Sequence, residues 1–305
     1  MFDNGKCKAE RAFAAADVEV AAVNLAADMN DRVKTAVSLY ISGLRGDEKA
    51  RLNREALSQM AEFERIVRGR VNGGVSDRAD LRVVESKIND ITSAKTSAEE
   101  AASSGRAELR AITGQDFPAE FSTLRLHEYP SRARPLAVLL AEAEAKRTIE
   151  QAKIERAGLL PGVTASANVT GSGTSGGLNI GNGTPLGFGT PAALKAIEAA
   201  TDGANRKVAE AEEDARRSYA RLEQRLASYR RQEVEAAALA DESRVTFTLF
   251  QRQFKAGQRS VMDVVSIYEE MVQREQAHVD AKYEVFLIQL ELARDLGLLA
   301  SGGSI

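Results

Sequence analysis

Few side chains in this 305-residue sequence are of the kinds that do chemistry, and their spacing argues against catalysis. The two histidines, His127 and His278, lie 151 residues apart with no ligand-like spacing. The single cysteine, Cys7, permits neither an internal disulfide nor a cysteine metal site. Gly171-Ser172-Gly173-Thr174-Ser175-Gly176 spells G-x-G-x-x-G, but a dinucleotide loop of that type must open a helix, and here a second strand is expected. Asn168-Val169-Thr170 and Asn182-Gly183-Thr184 fit the glycosylation sequon, a common match. The sequence offers no nucleophile–base pair, phosphate loop or carboxylate cluster, so no catalytic residue, cofactor or metal is expected. What remains is electrostatic: Asp80 and Asp263 each follow a glycine turn by six residues, the second with Arg259 and Ser260 close by. On position alone, both carboxylates serve the positive end of a helix dipole.

The elements that position these residues repeat. Gly74 and Asp80 recur 183 residues later as Gly257 and Asp263, and Leu109 and Gly114 recur as Leu292 and Gly297. A unit this long is a duplicated half-molecule, not a solenoid repeat. From Glu10 to about Val71 the sequence is free of proline and rich in helix formers, with Phe13, Ala16, Val20, Val23 and Ala27 at spacings of three and four. About 60 residues at ~1.5 Å each predict a helix on the order of 90 Å, which Gly43 and Gly46 are expected to loosen. Val71 to Asp77 reads as a reversal, with Ser76 or Asp77 capping a helix from about Arg78 to Ile112 that stops at Gly114. Pro118, Pro130 and Pro135 mark a linker. A shorter helix follows, from about Leu136 to Ala157.

Residues 160–170 switch to period two: Val163, Ala165, Ala167 and Val169 alternate with Thr164, Ser166, Asn168 and Thr170. Gly171 to Gly183 reads as a glycine-rich turn, with a weaker strand at about Leu178–Phe188. Pro191 then opens a long helix to about Lys255, Gly257 turns it, and a last helix reaches Leu296. The organisation expected is therefore a first repeat at 1–114, a linker at 115–135, a second repeat at 136–297 with its β-hairpin at about 160–188, and a tail at 298–305.

Charged residues make up 28% of the chain and aromatics 5%, with no tryptophan, a composition of long helices and coiled coils. A formal net charge of −3 with interspersed signs gives no basic footprint for nucleic acid. Abundant small residues, such as Ala14, Ala15, Ala16, Ala192, Ala193 and Ala196, allow close helix approach. The alternating strand has the length that a transmembrane β-strand requires.

Phe254-Lys255-Ala256-Gly257-Gln258-Arg259-Ser260-Val261-Met262-Asp263-Val264-Val265, followed by Leu290-Glu291-Leu292-Ala293-Arg294-Asp295-Leu296-Gly297, resembles the C-terminal repeat of the TolC-like outer-membrane efflux protein family. Val71 to Leu81 resembles the same turn in the first repeat, and Leu159-Leu160-Pro161-Gly162-Val163 the family's entry into a barrel strand. The resemblance covers essentially the whole chain in order. It implies a mainly α fold: a two-fold internal repeat of long antiparallel coiled-coil helical hairpins, with a β-hairpin contributing to a trimeric outer-membrane β-barrel. It implies a homotrimer in contact with outer-membrane lipid, with helices extending through the periplasm. A periplasmic adaptor (membrane fusion protein) would couple it to an inner-membrane pump or ABC transporter, in efflux or type I secretion. Gly74, Ser76, Asp77, Asp80, Gly257, Arg259, Ser260 and Asp263 would form the adaptor-docking turns.

By the same resemblance, Arg259 and Asp263 match the charged constriction of the closed tunnel. Ser266 stands where a second acidic residue is expected and Phe254 where a tyrosine is, so the constriction is expected to be weaker in charge or differently gated. Around a three-fold axis the Asp263 carboxylates would repel one another, and a neighbour's Arg259 could hold the ring shut. The family's first strand pair and signal peptide find no counterpart, so Met1 is read as an internal or truncated start, and three copies would supply six strands where the full pattern gives twelve. The alternative reading is a soluble or periplasmic coiled-coil scaffold or adaptor without a pore.

Overall fold

The computed structural model describes residues 3–115, 134–160, 162–170, 173–181 and 190–300. Pro118, His127 and Pro130 of the expected linker, the Gly171-Ser172 start of the glycine run, Phe188 and most of the expected tail lie outside the described residues. The elements run α1 (Lys6–Asn72), α2 (Arg78–Thr113), α3 (Leu136–Leu159), β1 (Gly162–Thr170), β2 (Gly173–Gly181), α4 (Thr190–Lys255) and α5 (Val261–Asp295). Helices equivalent under the 183-residue shift have nearly equal lengths, 67 and 66 residues for α1 and α4 and 36 and 35 for α2 and α5. Helix α1 begins earlier than its apolar periodicity indicated. The Asp3 carboxylate caps it by accepting from the Cys7 amide at 2.9 Å and the Gly5 amide at 3.2 Å.

β1 and β2 pair antiparallel from Gly162↔Gly181 to Thr170↔Gly173. The second strand therefore starts inside the run read as a turn and ends at Gly181, well before Phe188. Glycine lowers strand propensity, so the run reads as punctuation, yet its amides and carbonyls serve a ladder as well as any residue's.

The chain divides into two compact units, and each draws on both repeats. One comprises 1–31, 129–220 and 293–305. Its core is built of small side chains: Ala9, Ala16, Val20, Val23 and Ala26 on α1, with Val138, Ala143, Ala145, Ala152 and Ala157 on α3. Ion pairs Lys146–Glu19 (2.5 Å) and Arg147–Asp17 (3.1 Å) join the same two helices. The buried Asn30 amide holds the segment after α5, its Oδ1 accepting from Leu299 (2.9 Å) and Ala300 (3.2 Å) while its Nδ2 donates to the Ala26 carbonyl (2.8 Å). Beside it Asp31 accepts both arms of the Arg294 guanidinium.

The other unit comprises 32–128 and 221–292. Its core joins Ala56, Met60, Phe63 and Val67 of α1, Val84 and Ile91 of α2, and Val261, Val264, Val265, Tyr268, Met271 and Val272 of α5. Phe247 of α4 completes an aromatic cluster, its ring centroid 4.9 Å from Tyr268, which lies 5.7 Å from Phe63. Burial pushes the Tyr268 hydroxyl up to about 12. Gly43 and Gly46 do not loosen α1, which is continuous through both. A Cβ on Gly46 would stand 2.8 Å from the Ala98 carbonyl and 2.9 Å from the Ala102 Cβ, and one on Gly105 would stand 3.1 Å from the Leu39 carbonyl. These glycines let α1 and α2 cross nearly backbone to backbone.

Candidate functional site

Both interhelical turns are built on one backbone plan. At the end of α1 the Val75 amide reaches back to the Arg70 carbonyl (2.8 Å) and the Gly74 amide to that of Val71 (3.1 Å). At the end of α4 the Gln258 amide reaches Gln253 and the Gly257 amide Phe254, both at 2.9 Å. Each is a Schellman closure, whose pivot must take a left-handed conformation. Gly74 (φ 71°) and Gly257 (φ 75°) do so at no steric cost.

The side chains then differ. Asp77 caps α2 by accepting from the Ala79 amide at 3.2 Å. At α5 the cap is reciprocal: the Ser260 amide donates to Asp263 Oδ2 and the Asp263 amide to Ser260 Oγ, both at 3.1 Å, a capping box with aspartate in the place of the usual glutamate. Hydrogen bonding from Ser260, side chain first and amide second, with the charge of Arg259 adding least, holds the Asp263 carboxyl below its ordinary value. Arg259 Nε donates to Gln253 Oε1 at 3.1 Å, and its guanidinium lies 4.5 Å above the Phe250 ring. The first turn has the same brace with the roles exchanged, Arg70 Nε donating to Ser76 Oγ at 3.2 Å. Within the chain, Arg259 and Asp263 are thus engaged in shaping their own turn. Arg259, Ser260, Asp263 and Ser266 are exposed, as are Gly74, Asp77 and Gly257, whereas Ser76 and Asp80 are half-buried.

A second polar constellation escaped the reading of the sequence. Glu48 of α1 accepts from Lys282 (2.9 Å) and from the Tyr283 hydroxyl (2.8 Å) of α5, and Lys49 pairs with Asp280 at 2.8 Å. Arg106 of α2 pairs with Asp47 at 2.6 Å. Burial pushes the Glu48 carboxyl up, but the bonds from Lys282 and Tyr283 outweigh it and leave the group below its ordinary value. One turn further along α1, buried Asn53 accepts from Gln276 at 2.8 Å. The available signal was a polar residue at an apolar seam position, which cannot be read without knowing the facing helix.

The hairpin register sets Val163 opposite Ile180 and Ala165 opposite Leu178, with Ala167 opposite Gly176 and Val169 opposite Thr174. Each strand has nine residues, the length for a tilted membrane crossing. No helix among the described residues is long and apolar enough to cross a membrane, and among them no cluster could hold a metal ion.

The fold is that of TolC-like outer-membrane channels. It matches a membrane protein from Pseudomonas aeruginosa with TM-score 0.82 at 17% identity over 96% of this chain and 72% of that one. The outer membrane protein VceC of Vibrio cholerae matches with TM-score 0.81 at 16% identity, over 96% and 76%. The Campylobacter jejuni outer membrane channel CmeC matches with TM-score 0.79 at 13% identity, over 98% and 70%. No protein-family profile matches the sequence, and no curated relative does.

Proposed function

We propose that this chain is a subunit of a passive export duct in the outer membrane, without catalysis or cofactor. The observation that carries the reading is the hairpin β1–β2 inserted between α3 and α4 of a TolC-like helical frame. A lone two-stranded hairpin is marginal in water and in lipid leaves edges unpaired, so it needs further strands to close against. Three copies bring three hairpins to one barrel, and the helices extend through the periplasm. The turns at Gly74 and Gly257 are the docking points for a periplasmic adaptor, and through it for an inner-membrane pump or ABC transporter. Around the three-fold axis Asp263 and Arg259, exposed although each is engaged at home, offer their outer atoms to the neighbouring copy and form a charged constriction with Ser266 beside it.

The test is fractionation of cells expressing the chain, followed by the mass of the detergent-extracted complex and its conductance in a planar bilayer. A trimer from the outer-membrane fraction that conducts supports the duct. A monomer or dimer in the soluble periplasmic fraction refutes it in favour of a coiled-coil scaffold.

A further inference from the structure

Where α1 starts, it meets the end of α3 along a groove of about 760 Å³. Five charged residues line it. Asp3 is taken up by the Cys7 and Gly5 amides and Glu150 by Lys153 at 2.6 Å. Lys8 and Arg156 remain, and neither has a hydrogen-bond or ion-pair partner among the described residues. The rest of the lining is Asn4, Gly5, the alanines of both helices and Leu160, two residues before β1 begins at Gly162. The groove therefore carries two exposed cations without a partner among the described residues, and an apolar part of its lining, the alanines and Leu160, that ends two residues before the strand.

We propose that this groove binds the phosphate headgroup of an anionic phospholipid, with Lys8 and Arg156 on the phosphate and the acyl chains running past Leu160 along the hairpin. The assignment of the source rests on the duct reading, which puts β1 in the membrane and the end of α3 at its surface. The chemistry of the groove does not depend on it. A planar guanidinium takes phosphate oxygens two at a time, and an ammonium adds a mobile point charge.

The experiment uses the full chain purified in detergent and titrated with short-chain phosphatidylglycerol, short-chain phosphatidylcholine or inorganic phosphate. Wild type is compared with K8Q/R156Q and with R206Q/K207Q, which removes the same charge from exposed positions on α4. Phosphatidylglycerol should bind wild type and R206Q/K207Q alike and K8Q/R156Q about tenfold more weakly, with phosphatidylcholine weaker throughout. Unchanged helical circular dichroism shows that the variants fold. Equal binding by all three proteins, or equal weakening in both variants, overturns the site. Inorganic phosphate binding as tightly as the lipid overturns the lipid assignment in favour of a free-anion site. Vesicle flotation separates the two readings: a chain that fails to float yet binds phosphatidylglycerol through Lys8 and Arg156 keeps the groove and loses the duct.

Discussion

The two helical hairpins are equivalent under a 183-residue shift, yet the residues at their equivalent seam positions differ sharply in size. Between α1 and α2 the seam is made of small residues, Gly43, Gly46, Ala102 and Gly105, and at Gly46 and Gly105 the backbones come so close that one added carbon would collide. The equivalent positions on α4 and α5 hold Leu226, Tyr229, Val285 and Ile288. At these positions one hairpin has backbones within reach of a single Cβ, while the other carries large side chains. Duplicated length and turn geometry therefore do not imply duplicated packing: an added methylene is felt at once in a close-packed glycine seam.

The largest test of that contrast is at its tightest point. Gly46→Leu should cost about 3 kcal/mol by overpacking, against less than half of that for Tyr229→Ala at the equivalent position, both read from urea denaturation. If the two substitutions cost the same, the seams do not differ as described. Next is the buried amide pair between α1 and α5. Asn53→Ala should cost about 1–3 kcal/mol by stranding Gln276, while N53L/Q276L should recover most of it, since neither partner is then left unmet. A double variant no better than the single one would show that the pair itself contributes the stability.

The turns should behave alike, which is the other side of the comparison. Gly74→Ala and Gly257→Ala each force a side chain into the left-handed region and should each cost about 1–2 kcal/mol. Unequal losses would mean that one turn is held open by its surroundings. The smallest effect belongs to Asp263. Its carboxyl is depressed in the folded state, so its contribution is present above the unfolded carboxylate range and lost as pH falls through the folded value. Asp263→Asn should therefore narrow the difference in urea midpoint between neutral pH and pH about 2.5. An unchanged difference would remove the capping box as its source.

Much of this was legible in the sequence because glycine punctuates helices by a local mechanism. Gly74, Gly114, Gly257 and Gly297 all lie in the left-handed conformation at helix ends, as their spacing indicated. The same residue misled inside a helix, where Gly46 acts through a partner that the sequence does not identify. The bounds of β2 were lost for a related reason, since a glycine-rich strand gains its order from the strand opposite it. The Glu48–Lys282–Tyr283 cluster joins residues more than 230 apart, a separation no local pattern spans.

The exchanged braces carry a further consequence. At positions 70 and 76 the donor comes first, and at the equivalent positions 253 and 259 it comes second, so what the two halves share here is a relation and not a letter. Aligning the halves residue by residue scores both positions as divergence, although the pair is intact in each. Moving one member alone makes this visible: Ser76→Arg would set two guanidiniums face to face, while R70Q/S76R would rebuild the second turn's grammar in the first.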